Sequence, residues 1–217
     1  MSDYTLIRSD RKTLALEIDR TGALIVRAPR RLSRAAVDRF VESRSAWIAE
    51  KQRLQQVRAS AVTPAGGWNA AVWYRGRQYP VLRRQVRQPA FTDEALVIPE
   101  GWTAEKLRAF LKEECRRLVA VRLPVLSART GLYPTGFHVT EAQTRWGSCS
   151  GKNSLNFAWR LVFCPPEIMD YVMLHELCHI RHKNHSAAFW ALVAQFDPDY
   201  AAHRAWLREH AALMELF

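Results

Sequence analysis

The chain has 217 residues, 48% of them hydrophobic and 24% charged, and its 32 Lys and Arg outnumber 21 Asp and Glu to give a formal net charge of +11. That length supports one substantial core, or one core with a small appended subdomain. No apolar run is long enough for a membrane-spanning helix, and charges occupy the first ten residues where a secretory signal needs an apolar stretch, so a cytoplasmic protein without membrane attachment is expected.

Cys115, Cys149, Cys164 and Cys178 form no CxxC pair, which points to reduced, mostly buried thiols rather than disulfides or a four-cysteine zinc knuckle. The positive charge is uneven: residues 1–100 hold 18 basic against 10 acidic side chains, and residues 101–217 hold 14 against 11. A basic N-terminal half suits nucleic acid or another polyanion as partner, and suits an Arg-rich solvated surface equally well.

Residues 5–8, 14–18 and 24–27 read as short strands, the last stopped by Pro29. The spacing of Val37, Phe40, Val41, Trp47, Ile48 and Leu54 predicts an amphipathic helix over 33–58 with Ser33 as N-cap. A Pro/Gly loop at 63–67 precedes a hairpin, 71–74 and 78–83, and a further strand at 95–98. Residues 103–130 read as helical, with Thr103 as cap and Pro124 expected to kink or split the helix. Strict alternation over 155–163 predicts a strand with one strongly apolar face, ended by Pro165 and Pro166, which suit a helix start. Helices are expected over 167–181, 186–195 and 200–214. No internal repeat or low-complexity segment is visible, and the class is α+β.

The first of those C-terminal helices contains HELCH, residues 175–179. At about 100° per residue, His175 and His179 lie about 40° apart on one face and one turn apart, so both imidazoles can reach one ion. Glu176 lies within about 60° of His179, offset from ligation but suited to hold a water that the metal activates. HExxH fixes only three positions, so a third ligand is needed to distinguish a metal site from a chance match. His185 sits six residues beyond His179, about 9 Å along a continuous helix, and can join only if the helix ends first. Lys183 and Asn184 offer such an end, because Asn tolerates the left-handed conformation, and Ser186 can cap the next helix. His182 falls about 10.5 Å beyond His175 on the same face and is a poorer candidate; a downstream acid such as Asp197 or Glu209 is the remaining alternative. Three protein ligands leave a fourth position open, the mark of a catalytic zinc site. Cys178 projects away and reads as packing.

The chain resembles the YgjP-like metallopeptidases, a branch of the zincins related to SprT-like and Wss1-like proteins. The likeness rests on Arg145-Trp146-Gly147-Ser148-Cys149, Ser154-Leu155-Asn156, Asp170-Tyr171-Val172, the HELCH segment, Asn184-His185-Ser186 with Phe189-Trp190, Pro198-Asp199-Tyr200 and Trp206-Leu207. Val26-Arg27-Ala28-Pro29 and Trp47-Ile48 extend it nearly over the whole chain. The resemblance implies Zn2+ at His175, His179 and His185, Glu176 as general base, and hydrolysis of peptide bonds in a protein or peptide substrate. It implies a zincin-like catalytic part at 101–217, with a mixed, largely antiparallel sheet and a buried HExxH helix. A β-rich basic part with one long helix, 1–100, precedes it, the two forming one continuous unit. Arg145, Trp146, Gly147 and Ser148 would border the substrate cleft, and His182, Arg145 and Tyr200 are candidates to stabilise the oxyanion. The relatives' action on DNA-crosslinked proteins makes a DNA-associated protease one alternative, and a non-catalytic zinc-stapled nucleic-acid-binding module another.

Overall fold

The computed structural model describes residues 3–19, 21–62 and 64–217, and backbone contacts group the chain into two compact units, Met1–Val62 and Thr63–Phe217. In the first unit, β1 (Thr5–Ser9), β2 (Ala15–Ile18) and β3 (Leu24–Pro29) form a sheet in the order β1-β3-β2. The central strand runs parallel to β1 and antiparallel to β2, and it turns Leu24, Val26 and Ala28 inward by the two-residue period of a strand. Ser33 caps α1 (Arg34–Ser43) by accepting a hydrogen bond from the Ala36 amide. The single helix expected over 33–58 is in fact two, because Arg44 leaves helical geometry (φ −114°, ψ 12°) before α2 (Ser45–Val62) begins. Val37 and Val41 before the break and Ile48 after it share one core with the inward face of β3, and that common burial accounts for the bend.

The second unit opens with a 3-10 turn (Gly67–Asn69) and the strands β4 (Ala71–Tyr74), β5 (Arg77–Arg84), β6 (Ala90–Phe91) and β7 (Leu96–Pro99), ordered β4-β5-β7-β6. Arg75 and Gly76 both have positive φ, 50° and 87°, as a two-residue hairpin turn requires. Their amides donate to the carbonyls of Val162 and Phe163, both at 2.9 Å, and the Tyr74 hydroxyl donates to Glu114. These bonds join the hairpin to the rest of residues 63–217.

Helix α3 (Ala104–Thr130) runs through Pro124 without splitting; Leu123 and Leu126, buried on either side, hold both halves to the core. Thr103 stands at its N-cap position but makes no side-chain cap bond, and Gly131 closes it in the left-handed conformation (φ 69°). A third sheet follows, β8 (Gly136–Thr140), β9 (Gly147–Cys149) and β10 (Ser154–Ala158), in the order β8-β10-β9. The strand expected over 155–163 stops at Ala158. Residues Trp159–Phe163 instead form a 3-10 turn in which all five side chains are buried, so their alternation does not mark one apolar face. Even Arg160 is enclosed there, donating to the carbonyls of Leu216 and Phe217.

Helices α4 (Pro166–Arg181), α5 (Ala187–Phe196) and α6 (Tyr200–Glu209) and a 3-10 turn (Ala211–Glu215) complete the chain. The class is α+β. Among the described residues there are three small mixed sheets, each with one parallel pair; the one within 101–217, where a mixed, largely antiparallel sheet was expected, is mixed with one parallel and one antiparallel pair. No helix among the described residues is long and apolar enough to cross a membrane.

Candidate metal centre

Pro166 in the first turn and Glu167 near the positive end of the dipole start α4, and Val172, Met173, Leu174, Leu177 and Cys178 bury most of its circumference. The helix ends at Arg181, where it was expected to end, but not by the left-handed Asn184 that the Lys183–Asn184 stop would have used. His182 adopts extended backbone (φ −125°, ψ 105°), its amide still bonded to the Cys178 carbonyl, and Asn184 does not take a left-handed conformation. The chain turns back at once, and Ser186 caps α5 by accepting from the Phe189 amide. This turn returns His185 to the helix: its Nε2 lies 3.1 Å from Nε2 of His175.

Ring centroids of His175, His179 and His185 are 4.7 to 5.1 Å apart, and one nitrogen from each lies within 4.8 Å of the others. A tetrahedral ion with Zn–N bonds of about 2.0–2.1 Å requires nitrogens about 3.3 Å apart, so the 3.1 Å pair fits a shared ion closely. The protonation states fit as well. Nδ1 of His179 donates to the His182 carbonyl at 2.9 Å, an oxygen that can only accept, and the lone pair is thereby left on Nε2. Burial, aided by the charges of His179, His185 and Arg204, pushes His175 down to about 3, and burial also lowers His179. Both rings are then neutral at ordinary pH, as metal ligation demands.

Phe189, fully buried, forms the floor beneath all three rings at 4.4 to 4.9 Å between centroids. Trp190 stacks on His185 at 5.6 Å, Tyr200 stacks on Trp190 in turn, and Arg204 lies over the same indole. Lys183 fastens the returning turn to the β9–β10 connection through the Ser150 carbonyl (3.1 Å) and Asn153 Oδ1 (2.6 Å).

Glu176 is 5% exposed, and its Oε2 has no hydrogen-bond partner. Burial pushes this carboxyl up to about 8, against the opposing pull of the Arg145 charge. Against it lies Gly147 of β9, where an added Cβ would stand 2.7 Å from both Cγ and Oε1 of Glu176. No strand pairs with the outer edge of β9 among the described residues. Trp146 accepts a hydrogen bond from the Ala158 amide through its carbonyl, Ser148 pairs with Asn156, and Arg145 is exposed just before the strand.

The alternatives to His185 lie elsewhere. His182 contributes its backbone carbonyl, and its ring is not in the cluster; Asp197 is bonded to His203 at 2.8 Å, and Glu209 is exposed on α6. Tyr200 stacks on the Trp190 indole, which in turn stacks on His185. Cys178 is fully buried, and burial pushes its thiol up to about 12. The sequence marked Lys183 only as part of a helix end and Gly147 only as a border of the cleft; the Lys183 tether and the Gly147 contact with Glu176 each depend on a partner about thirty residues away that no local pattern marks.

No curated protein and no solved structure matches the chain. The family model described as YgjP-like, metallopeptidase domain, matches residues 12–210, nearly the whole length and both compact units. The chain belongs to the YgjP-like metallopeptidase family.

Proposed function

We propose that the protein is a zinc-dependent peptidase of zincin type, with His175, His179 and His185 as the metal ligands and Glu176 as the general base. The convergence of three imidazoles beside a buried carboxyl group with an unpartnered oxygen carries this reading. Zinc held there would supply a Lewis acid that polarises the scissile carbonyl and makes water a nucleophile near neutral pH. Beside the charge of a bound zinc the Glu176 carboxyl would ionise despite its burial, accept the proton of the attacking water on its unpartnered Oε2 and return it to the leaving amine. Low dielectric around the carboxylate strengthens that exchange, and Gly147 gives it the room. The free edge of β9 offers an extended peptide main-chain hydrogen bonds beside the reacting groups, which makes Trp146, Gly147 and Ser148 contacts of the substrate backbone. The four unpaired cysteines, three of them buried, suit the reducing cytoplasm.

The test is metal analysis joined to peptide hydrolysis. Purified protein should carry or take up one zinc per chain, and Glu176→Gln should lower hydrolysis by about 10²- to 10⁴-fold while zinc content and folding stay unchanged. Full activity in that variant, or refusal of zinc at micromolar concentration, would end the reading.

A further inference from the structure

The two faces of the β8-β10-β9 sheet differ in content. Gly147 and Cys149 share a face with their cross-strand partners Phe157 and Leu155, and the approach of Gly147 to Glu176 identifies it as the face toward α4. Ser148 and its partner Asn156 therefore lie on the opposite face, together with Thr140, the register partner of Ala158. On that side Thr140, Ser148 and Asn156, with Arg145 and Gly147, line a polar hollow of about 330 Å³.

The hollow contains one charged side chain, Arg145, and no acid. Arg145 makes no ion pair and no side-chain hydrogen bond among the described residues, whereas Arg116, Arg117 and Arg122 of α3 each hold a carboxylate. The neutral groups of the hollow are engaged with one another or with the sheet: Thr140 donates to the Phe157 carbonyl and Asn156 to Ser148. What the hollow lacks is an anion. An unpaired Arg on a surface is ordinary, but this one stands at the mouth of the free edge strand, and its charge reaches Glu176 as well as the hollow. A peptide laid along β9 alternates its side chains between the two faces. While one residue faces α4 and the imidazoles, its neighbour is directed to the hollow.

We infer that this hollow is a subsite for a peptide carboxylate held by the Arg145 guanidinium, so that the enzyme selects substrates with an acidic group next to the scissile bond. This rests on the peptidase reading above, in which β9 receives the substrate. Arg145 is thereby a specificity residue rather than an oxyanion donor. The carboxylate can belong to an Asp or Glu side chain or to the free C-terminus of a short peptide, and both present the planar anion that a guanidinium grips in two-point fashion.

Binding of fluorescent peptides to zinc-loaded Glu176→Gln protein tests the inference independently of turnover. Two series are compared: peptides with Glu replaced by Gln at successive positions, and peptides ending in free acid or in amide. At one position, or at the C-terminus, neutralisation should weaken binding about tenfold, and in the additional presence of Arg145→Met that discrimination should vanish. The series that responds identifies the source of the carboxylate. Equal binding of acidic and neutral peptides, no measurable binding of acidic ones, or discrimination that survives Arg145→Met would each overturn the subsite. So would a uniform drop in kcat of the Arg145→Met enzyme for all peptides with acid preference untouched, which is the signature of an oxyanion donor. Intact acid discrimination in a protein whose Glu176 parent hydrolyses nothing would instead sink the catalytic reading and leave the subsite standing.

Discussion

Glu176 is enclosed beneath an edge strand, and the absence of a side chain at Gly147 is what leaves its carboxylate that space. The strain expected on adding a methyl falls on the carboxylate itself, since Cγ and Oε1 are the nearest atoms and the Gly147 backbone is fixed by pairing with Phe157. Gly147→Ala should therefore reduce peptide hydrolysis about a hundredfold, the scale of a catalytic group misplaced by about 1 Å, while zinc content measured in the same preparation stays unchanged. The imidazoles give a second contrast. His185→Ala should strip most of the zinc, whereas His182→Ala keeps the backbone carbonyl that orients His179 and should retain it; elemental analysis after dialysis against a mild chelator distinguishes the two, and the reverse result would exchange their roles. The spacing of His175, Glu176 and His179 was legible in the sequence because helix geometry is local. Gly147 was legible only as part of a family signature, since its reason is a contact with a residue 29 positions away.

Between α4 and α5 the chain makes a reversal of a few residues, and the elements on both sides are needed for it. His182 in extended backbone ends one helix, Ser186 starts the next, and Lys183 ties the turn to the β9–β10 connection. Aromatic rings of α5 then fix the imidazoles, with Phe189 below all three and Trp190 stacked on His185, the most exposed of them. Because His185 comes from a turn rather than a helix, the Trp190 indole is its chief restraint. Trp190→Ala should weaken zinc binding about tenfold, by chelator competition, and Trp190→Phe should recover much of it; unchanged affinity in the Ala variant would show the stack to be incidental. At this scale the sequence was readable where a cap residue or an amphipathic period spoke for itself, as at Ser33, Ser186 and the 71–84 hairpin. It misled where burial on all sides erased the period. Trp159–Phe163 alternates like a strand yet is enclosed as a 3-10 turn, and Gly147–Cys149 is a strand too short and too polar for any pattern.

The division of the chain sets apart two cores of very different size. Within Met1–Val62, 13 basic residues face seven acidic ones. Arg8 donates to three carbonyls, and Arg27, Arg30, Arg34 and Arg53 each pair with a carboxylate, pairs that use as many acids as bases and leave the unit's positive excess in place. The apolar core beneath it consists of Leu24, Val26, Ala28, Val37, Val41 and Ile48, with Tyr4, Leu6, Leu14, Leu16, Ile18 and Leu32 packed around them. A unit of about sixty residues buries too little surface to be more than marginally stable. Leu24 is 2% exposed at the start of the central strand, and truncating it to Ala removes transfer energy and leaves a cavity, together about 2–5 kcal/mol. That loss is comparable to the whole stability of such a unit, so Leu24→Ala should abolish amide protection across residues 3–62 in hydrogen exchange. The imidazole cluster, Glu176 and the edge strand all belong to Thr63–Phe217. Protection there and zinc content should both persist in the variant. Simultaneous loss of protection in both units would mean that they unfold as one cooperative body, and that the smaller unit sustains the metal centre it does not itself contain.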